Sequence, residues 1–103
     1  MIKKNTPVTA PAVPAAVNGH IMHSDSRAEA ILLTLLPGEE IAMHKNPFDV
    51  LFCGISGKAT LISPSMTETI EAGETIFVTA DEDRAWKNNH TLPAKILVVK
   101  ILK

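Results

Sequence analysis

The sequence predicts an all-β domain, a sandwich or barrel of short strands. Three observations carry this. Short apolar runs follow one another from about residue 17 to the end, turn residues separate them at even intervals, and 103 residues suffice for one core but not two.

The chain opens with "MIKKNTPVTAPAVPAAVNG". Its two lysines imitate the head of an export signal, but such a signal needs an unbroken apolar stretch of roughly 7 to 15 residues. Pro7, Pro11 and Pro14 interrupt this one every few positions. Residues 1–16 are therefore expected to form an extended or disordered Pro/Ala-rich arm, or one laid across a neighbouring subunit, with the domain proper spanning 17–103. No segment approaches the roughly 18 to 20 apolar residues of a membrane span, so no membrane partner is expected.

"SDSRAEAILLTLLPGEE" is ambiguous. Ser26 with Glu29 resembles a capping box and Pro37-Gly38 a helix stop, so local propensity favours a helix over 27–36. As a strand, Ala30, Leu32, Thr34 and Leu36 would face one way and Ile31, Leu33 and Leu35 the other, apolar on both sides. Local signals leave the choice open.

The remaining runs are rich in β-formers. "DVLFCGI" is followed by a turn bracketed by Gly54 and Gly57, with "KATLI" expected as its partner strand. After Ser63-Pro64-Ser65 come "MTETI", a turn at Ala72-Gly73 and "ETIFV", where the acidic residues read as the solvated face and turn of a hairpin. "RAWKN" and "AKILVVKIL" close the chain, and no internal repeat is present. Ten basic and eleven acidic residues are spread without clustering, which does not favour nucleic acid as a partner. Cys53 is the single cysteine, so no internal disulfide exists; it is expected as a small buried hydrophobe in a cytoplasmic protein.

Two spaced motifs stand in the middle of the chain. Gly38 is followed after five residues by His44, then by Asn46 and, further on, Gly57; Gly73 is followed by Thr79, Asp81, Arg84 and Asn88. The spacing resembles the two motifs of the cupin superfamily, G-x5-H-x-H-x3,4-E-x6-G and G-x5-P-x-G-x2-H-x3-N. The motifs cover residues 38–88, and the flanking strands extend the likeness over most of 17–103. The resemblance implies a single-domain, cupin-type double-stranded β-helix (jelly-roll barrel), and it decides for a strand over 27–36.

It also implies four metal-ligand positions, two histidines and a glutamate in the first motif and a histidine in the second. Those positions hold His44, Asn46, Val50 and Arg84, so one of four ligands survives. An amide oxygen is a weak ligand, valine offers none, and arginine brings a fixed positive charge. No cofactor or conventional metal centre is expected; a bound transition metal would need His44 with another histidine, from His20, His23 or His90. His20 and His23, three positions apart, are expected on opposite sides of a strand.

Alternation gives the expected lining of the barrel. Arg84, Trp86 and Asn88 share one face and Asp83, Ala85 and Lys87 the other; His44 and Asn46 are expected to face inward with Ala42, and Val50 with Phe52. The expected ligand pocket is thus His44, Asn46, Phe52, Arg84, Trp86 and Asn88, polar groups over an apolar floor. An inward guanidinium requires an anion, either internal (Asp49, Asp81 or Glu39) or a ligand carboxylate or phosphate held bidentately. Trp86 reads first as core packing, and Asn88 resembles the family's structural asparagine. A histidine side chain can serve as a general base, but no nucleophile or paired carboxylate stands at a supporting spacing from His44, so no catalytic residue is assigned.

Leu51, Cys53 and Ile55 on one face of a strand, with Val50 and Phe52 on the other, give it two apolar sides, as in most of 96–102. The surplus face predicts a homodimer, which the family resemblance also implies. Three functional readings follow. The first is a non-catalytic protein binding a small, anionic ligand as a sensor or accessory. The second is an isomerase or dioxygenase-like enzyme with an unconventional metal shell including His44. The third is an interaction module whose vestigial pocket is filled by Phe52, Trp86 and an internally paired Arg84.

Overall fold

A computed structural model describes residues 1–14 and 17–103. Nine strands follow in order: β1 (Asn18–Ser24), β2 (Ala28–Leu35), β3 (Glu40–His44), β4 (Asp49–Ser56), β5 (Lys58–Ile62), β6 (Thr67–Glu71), β7 (Thr75–Val78), β8 (Arg84–Lys87) and β9 (Ala94–Ile101). They form two antiparallel sheets, a five-stranded one ordered β1-β2-β9-β4-β7 and a four-stranded one ordered β3-β8-β5-β6. No helix is present among the described residues, and none is long and apolar enough to cross a membrane.

Residues 28–35, locally ambiguous, form a strand because tertiary pairing overrides helix propensity. β2 pairs along its whole length with β9 and lies between that strand and β1, so its backbone finds ladder partners on both edges. Leu33 and Leu35 point into the barrel, where they meet Val50, Phe52, Leu61, Ile70, Trp86 and Ile96.

The sequence reading paired "DVLFCGI" with "KATLI", and the structure corrects this. β4 pairs with β7 and β9, whereas β5 pairs with β6 and β8. The chain crosses between sheets at Gly57, whose φ of 68° is left-handed and whose missing Cβ leaves room for the carbonyl of Pro93. The hairpin expected in "TETIEAGE" is corrected in the same way: β6 and β7 flank the turn at Gly73 but belong to different sheets.

Residues 11–13 run beside β1. Val13 N–H donates to Gly19 O, Ile21 N–H donates to Pro11 O, and Ala10 is buried. The domain boundary expected after residue 16 falls at Ala15 and Ala16, outside the described residues.

Candidate functional site

The segment between β7 and β8 aims the central side chain of the site. Asp81 occupies the position of the second motif's internal glycine, and its φ is 66°, the left-handed conformation that glycine adopts most easily and aspartate tolerates better than most residues. Its N–H donates to Asn46 O (2.8 Å), and Ala80 N–H donates to Asp49 Oδ1 (2.8 Å). These bonds tie the segment to the β3–β4 connection and to the first residue of β4, just ahead of β8.

β8 then alternates as its sequence dictates: Arg84, Trp86 and Asn88 are buried, and Ala85 and Lys87 are half-buried. Asn88 Nδ2 donates to Leu35 O (2.9 Å) and Leu92 O (2.8 Å), and its Oδ1 accepts from His90 N–H (3.0 Å). This side chain satisfies three backbone groups around the chain's turn toward β9, a structural task. Trp86 meets Phe52 edge to face, with centroids 5.1 Å apart and an interplanar angle of 65°. Both rings belong to the hydrophobic core.

Arg84 is different. Only 3% of its surface is exposed, and the guanidinium carbon lies 5.8 Å from the centre of the Phe52 ring, within cation–π range. Among the described residues no carboxylate pairs with it, and its buried Nε–H has no acceptor. Two internal partners weighed from the sequence are engaged elsewhere: Asp49 accepts from Ala80, and Glu39 Oε1 from Leu36 N–H (2.7 Å). Burial pushes the guanidinium below its usual pKa, as desolvation does to any cation.

Arg84 lines a cleft of about 590 Å³ between β5, β6, β7 and the 79–83 segment. Its walls include Leu61, Met66, Ile76 and Val78, its polar lining Ser63, Thr69 and Thr79, and its acidic groups Glu68, Glu74, Glu82 and Asp83. Of the six expected pocket residues, Arg84 alone lines this cleft. Phe52, Trp86 and Asn88 are buried, Asn46 is half-buried, and His44 is exposed. The inward orientation read for His44 and Ala42 is corrected: both are exposed on β3, an edge strand whose register with β8 shifts between Ile41 and His44. His44 stands opposite Arg84 in that register, but its Nδ1 hydrogen-bonds Ala42 O of its own strand (2.9 Å). The cleft walls on β6 and β7 were missed because no sequence signal tells which strands adjoin Arg84.

The four ligand positions do not fit a metal ion. Val50 is buried hydrocarbon and Arg84 a buried cation, so a divalent ion between them would meet one inert group and one repelling charge. Among the described residues no three His, Cys, Asp or Glu side chains converge as a ligand group. The opposite-side placement of His20 and His23 is itself corrected. A bulge between Ile21 and His23 sets them opposite Leu32 and Ala30, which share one face of β2. They are nevertheless engaged separately, His20 Nδ1 with Ala10 O (3.3 Å) and His23 Nε2 with Asp25 Oδ2 (2.8 Å).

Two antiparallel sheets closed around one core, with motif spacing at the strand ends, define a double-stranded β-helix barrel. The chain belongs to the cupin family: the Cupin domain model matches residues 31–100. No curated protein matches the sequence. Among solved structures, the chain is similar to the polyketide cyclase RemF from Streptomyces resistomycificus, with 16% identity, TM-score 0.87, and coverage of 100% of this chain and 81% of that one. It is also similar to a predicted oxalate decarboxylase from Thermotoga maritima (20% identity, TM-score 0.77, 84% of this chain and 81% of that one). A third likeness is to an uncharacterized conserved protein with a double-stranded beta-helix domain from Klebsiella pneumoniae (15%, TM-score 0.82, 98% and 90%). At these identities the likeness is one of fold alone.

Proposed function

We propose that this cupin binds a small anionic molecule at Arg84, without a conventional metal centre, as a sensor or accessory protein and not as an enzyme. One observation carries the reading: Arg84, a residue only 3% exposed and with no anionic partner among the described residues, lines a cleft large enough for a small molecule. A buried, unpaired charge costs several kcal/mol on an order-of-magnitude scale, and a ligand carboxylate or phosphate held by the guanidinium fork offsets that cost. The Arg84 guanidinium lies over the Phe52 ring, and the bonds from Asp81 and Ala80 hold the segment that leads into its strand, so the cation is positioned before a ligand arrives. The reading as a vestigial pocket requires an internal ion pair for Arg84, and none exists among the described residues.

The test is titration calorimetry of hexanoate and of inorganic phosphate against the wild-type protein and Arg84→Met. Saturable binding of at least one probe, weakened at least about tenfold in the variant, is expected. Binding of neither, or equal binding by both proteins, contradicts the proposal. The outward apolar residues of β4 and β9, among them Leu51, Cys53, Leu97 and Val99, are only half-buried in the single chain and support a homodimer. Light scattering behind size-exclusion chromatography tests this; a monomer at micromolar concentration contradicts it.

A further inference from the structure

We infer that the ligand of the Arg84 cleft is amphoteric, an amino-carboxylate whose acid group meets Arg84 and whose amine meets the acidic wall. This deepens the anion-binding reading and rests on it. The cleft that holds the one guanidinium is also lined by four carboxylates, Glu68, Glu74, Glu82 and Asp83, and by no lysine. A simple anion entering it would approach Arg84 through a net negative field. A ligand carrying its own cation passes the same wall with attraction.

The two charge sets are distinct in position. Arg84 is buried, whereas Glu68, Glu82 and Asp83 are exposed and have no hydrogen-bond or ion-pair partner among the described residues. Glu68 is directed there by strand register: it stands opposite Leu61, which stands opposite Trp86, so its side chain leaves β6 on the barrel-facing side. The cleft is also lined by Leu61, Met66, Ile76 and Val78, surfaces suited to a short hydrocarbon spacer. The unpartnered, buried Arg84 marks the cleft as a binding site, and the sign of its wall selects the class of ligand.

The experiment compares ω-amino carboxylates of four, six and eight carbons with the matched plain carboxylates and with hexylamine, by calorimetry at low and physiological salt. The best amino-carboxylate is expected to bind about tenfold more tightly than its plain counterpart. The double variant E68Q/E82Q, at exposed positions, is expected to bring that ratio close to one while leaving plain carboxylate binding intact or stronger. Plain carboxylates that bind as tightly as their amino counterparts overturn this inference and leave the role of Arg84 standing. Hexylamine that binds as tightly as the amino-carboxylates overturns both, because it makes the anion superfluous. Absence of binding throughout also overturns both.

Discussion

Replacing Arg84 by Met is expected to make the ligand-free protein more stable. Arg84 is 3% exposed and its buried Nε–H has no acceptor, a defect of about 1–3 kcal/mol for a buried polar group and more when the group is charged. Against this stands the cation–π contact with Phe52 at 5.8 Å, which contributes about 0.5–2 kcal/mol. A methionine follows the aliphatic stem of arginine and places its sulfur against the same ring, recovering about 0.3–1.5 kcal/mol. The balance is a gain of about 1–2 kcal/mol, or a rise in Tm of roughly 5–10 °C for a domain of this size. Urea and calorimetric unfolding at neutral pH check it, with an unchanged m-value required for a two-state comparison. A variant destabilised by more than about 1 kcal/mol would show that Arg84 makes net favourable contacts within the protein. Arg84 would then not be held unsatisfied for a ligand.

Two further predictions concern the frame around the site. Asn88→Ala removes one donor group shared by Leu35 O and Leu92 O and the acceptor for His90 N–H, and leaves buried backbone groups unpaired; a loss of about 2–4 kcal/mol is expected in urea unfolding. Asp25, in the β1–β2 connection, has its pKa lowered chiefly by the hydrogen bond from His23 and then by the N–H groups of Arg27 and Ala28. A carboxylate lowered in the folded state stabilises above its unfolded value, near 4, and that contribution fades as pH falls through the folded value. Asp25→Asn is therefore expected to lower the urea midpoint at pH 7 and pH 5 alike, with the gap to wild type closing progressively below about pH 4; a gap that widens on acidification contradicts the assignment.

The fold was legible because it depends on patterns that sequence displays. Period-two alternation on β8 put Trp86 and Asn88 on the buried side, and the spacing of Gly38, Gly57 and Gly73 marks three turns at which φ is positive. Asp81 shows that a motif position keeps its backbone geometry after its glycine is lost. What the sequence does not display is which strands are neighbours. In a barrel of two sheets, strands adjacent in sequence can belong to opposite sheets, as β4 and β5 do, and alternation is the same in either case. The cleft walls at Met66, Glu68 and Ile76 were hidden for that reason. Bulges are equally silent: one residue added near Met22 sets His20 and His23 on one face, and a register shift on β3 accompanies the exposure of His44.

The central claim is that the Arg84 guanidinium is free in the protein and is the anchor of its ligand. Its side-chain Nε–H resonance, assigned by comparison of 15N-labelled wild type with Arg84→Met, tests this directly during titration with hexanoate and 6-aminohexanoate. The account predicts a resonance that shifts and saturates with the ligand at the same midpoint as calorimetry. A resonance that stays fixed while ligand binds would place the site elsewhere and contradict the account.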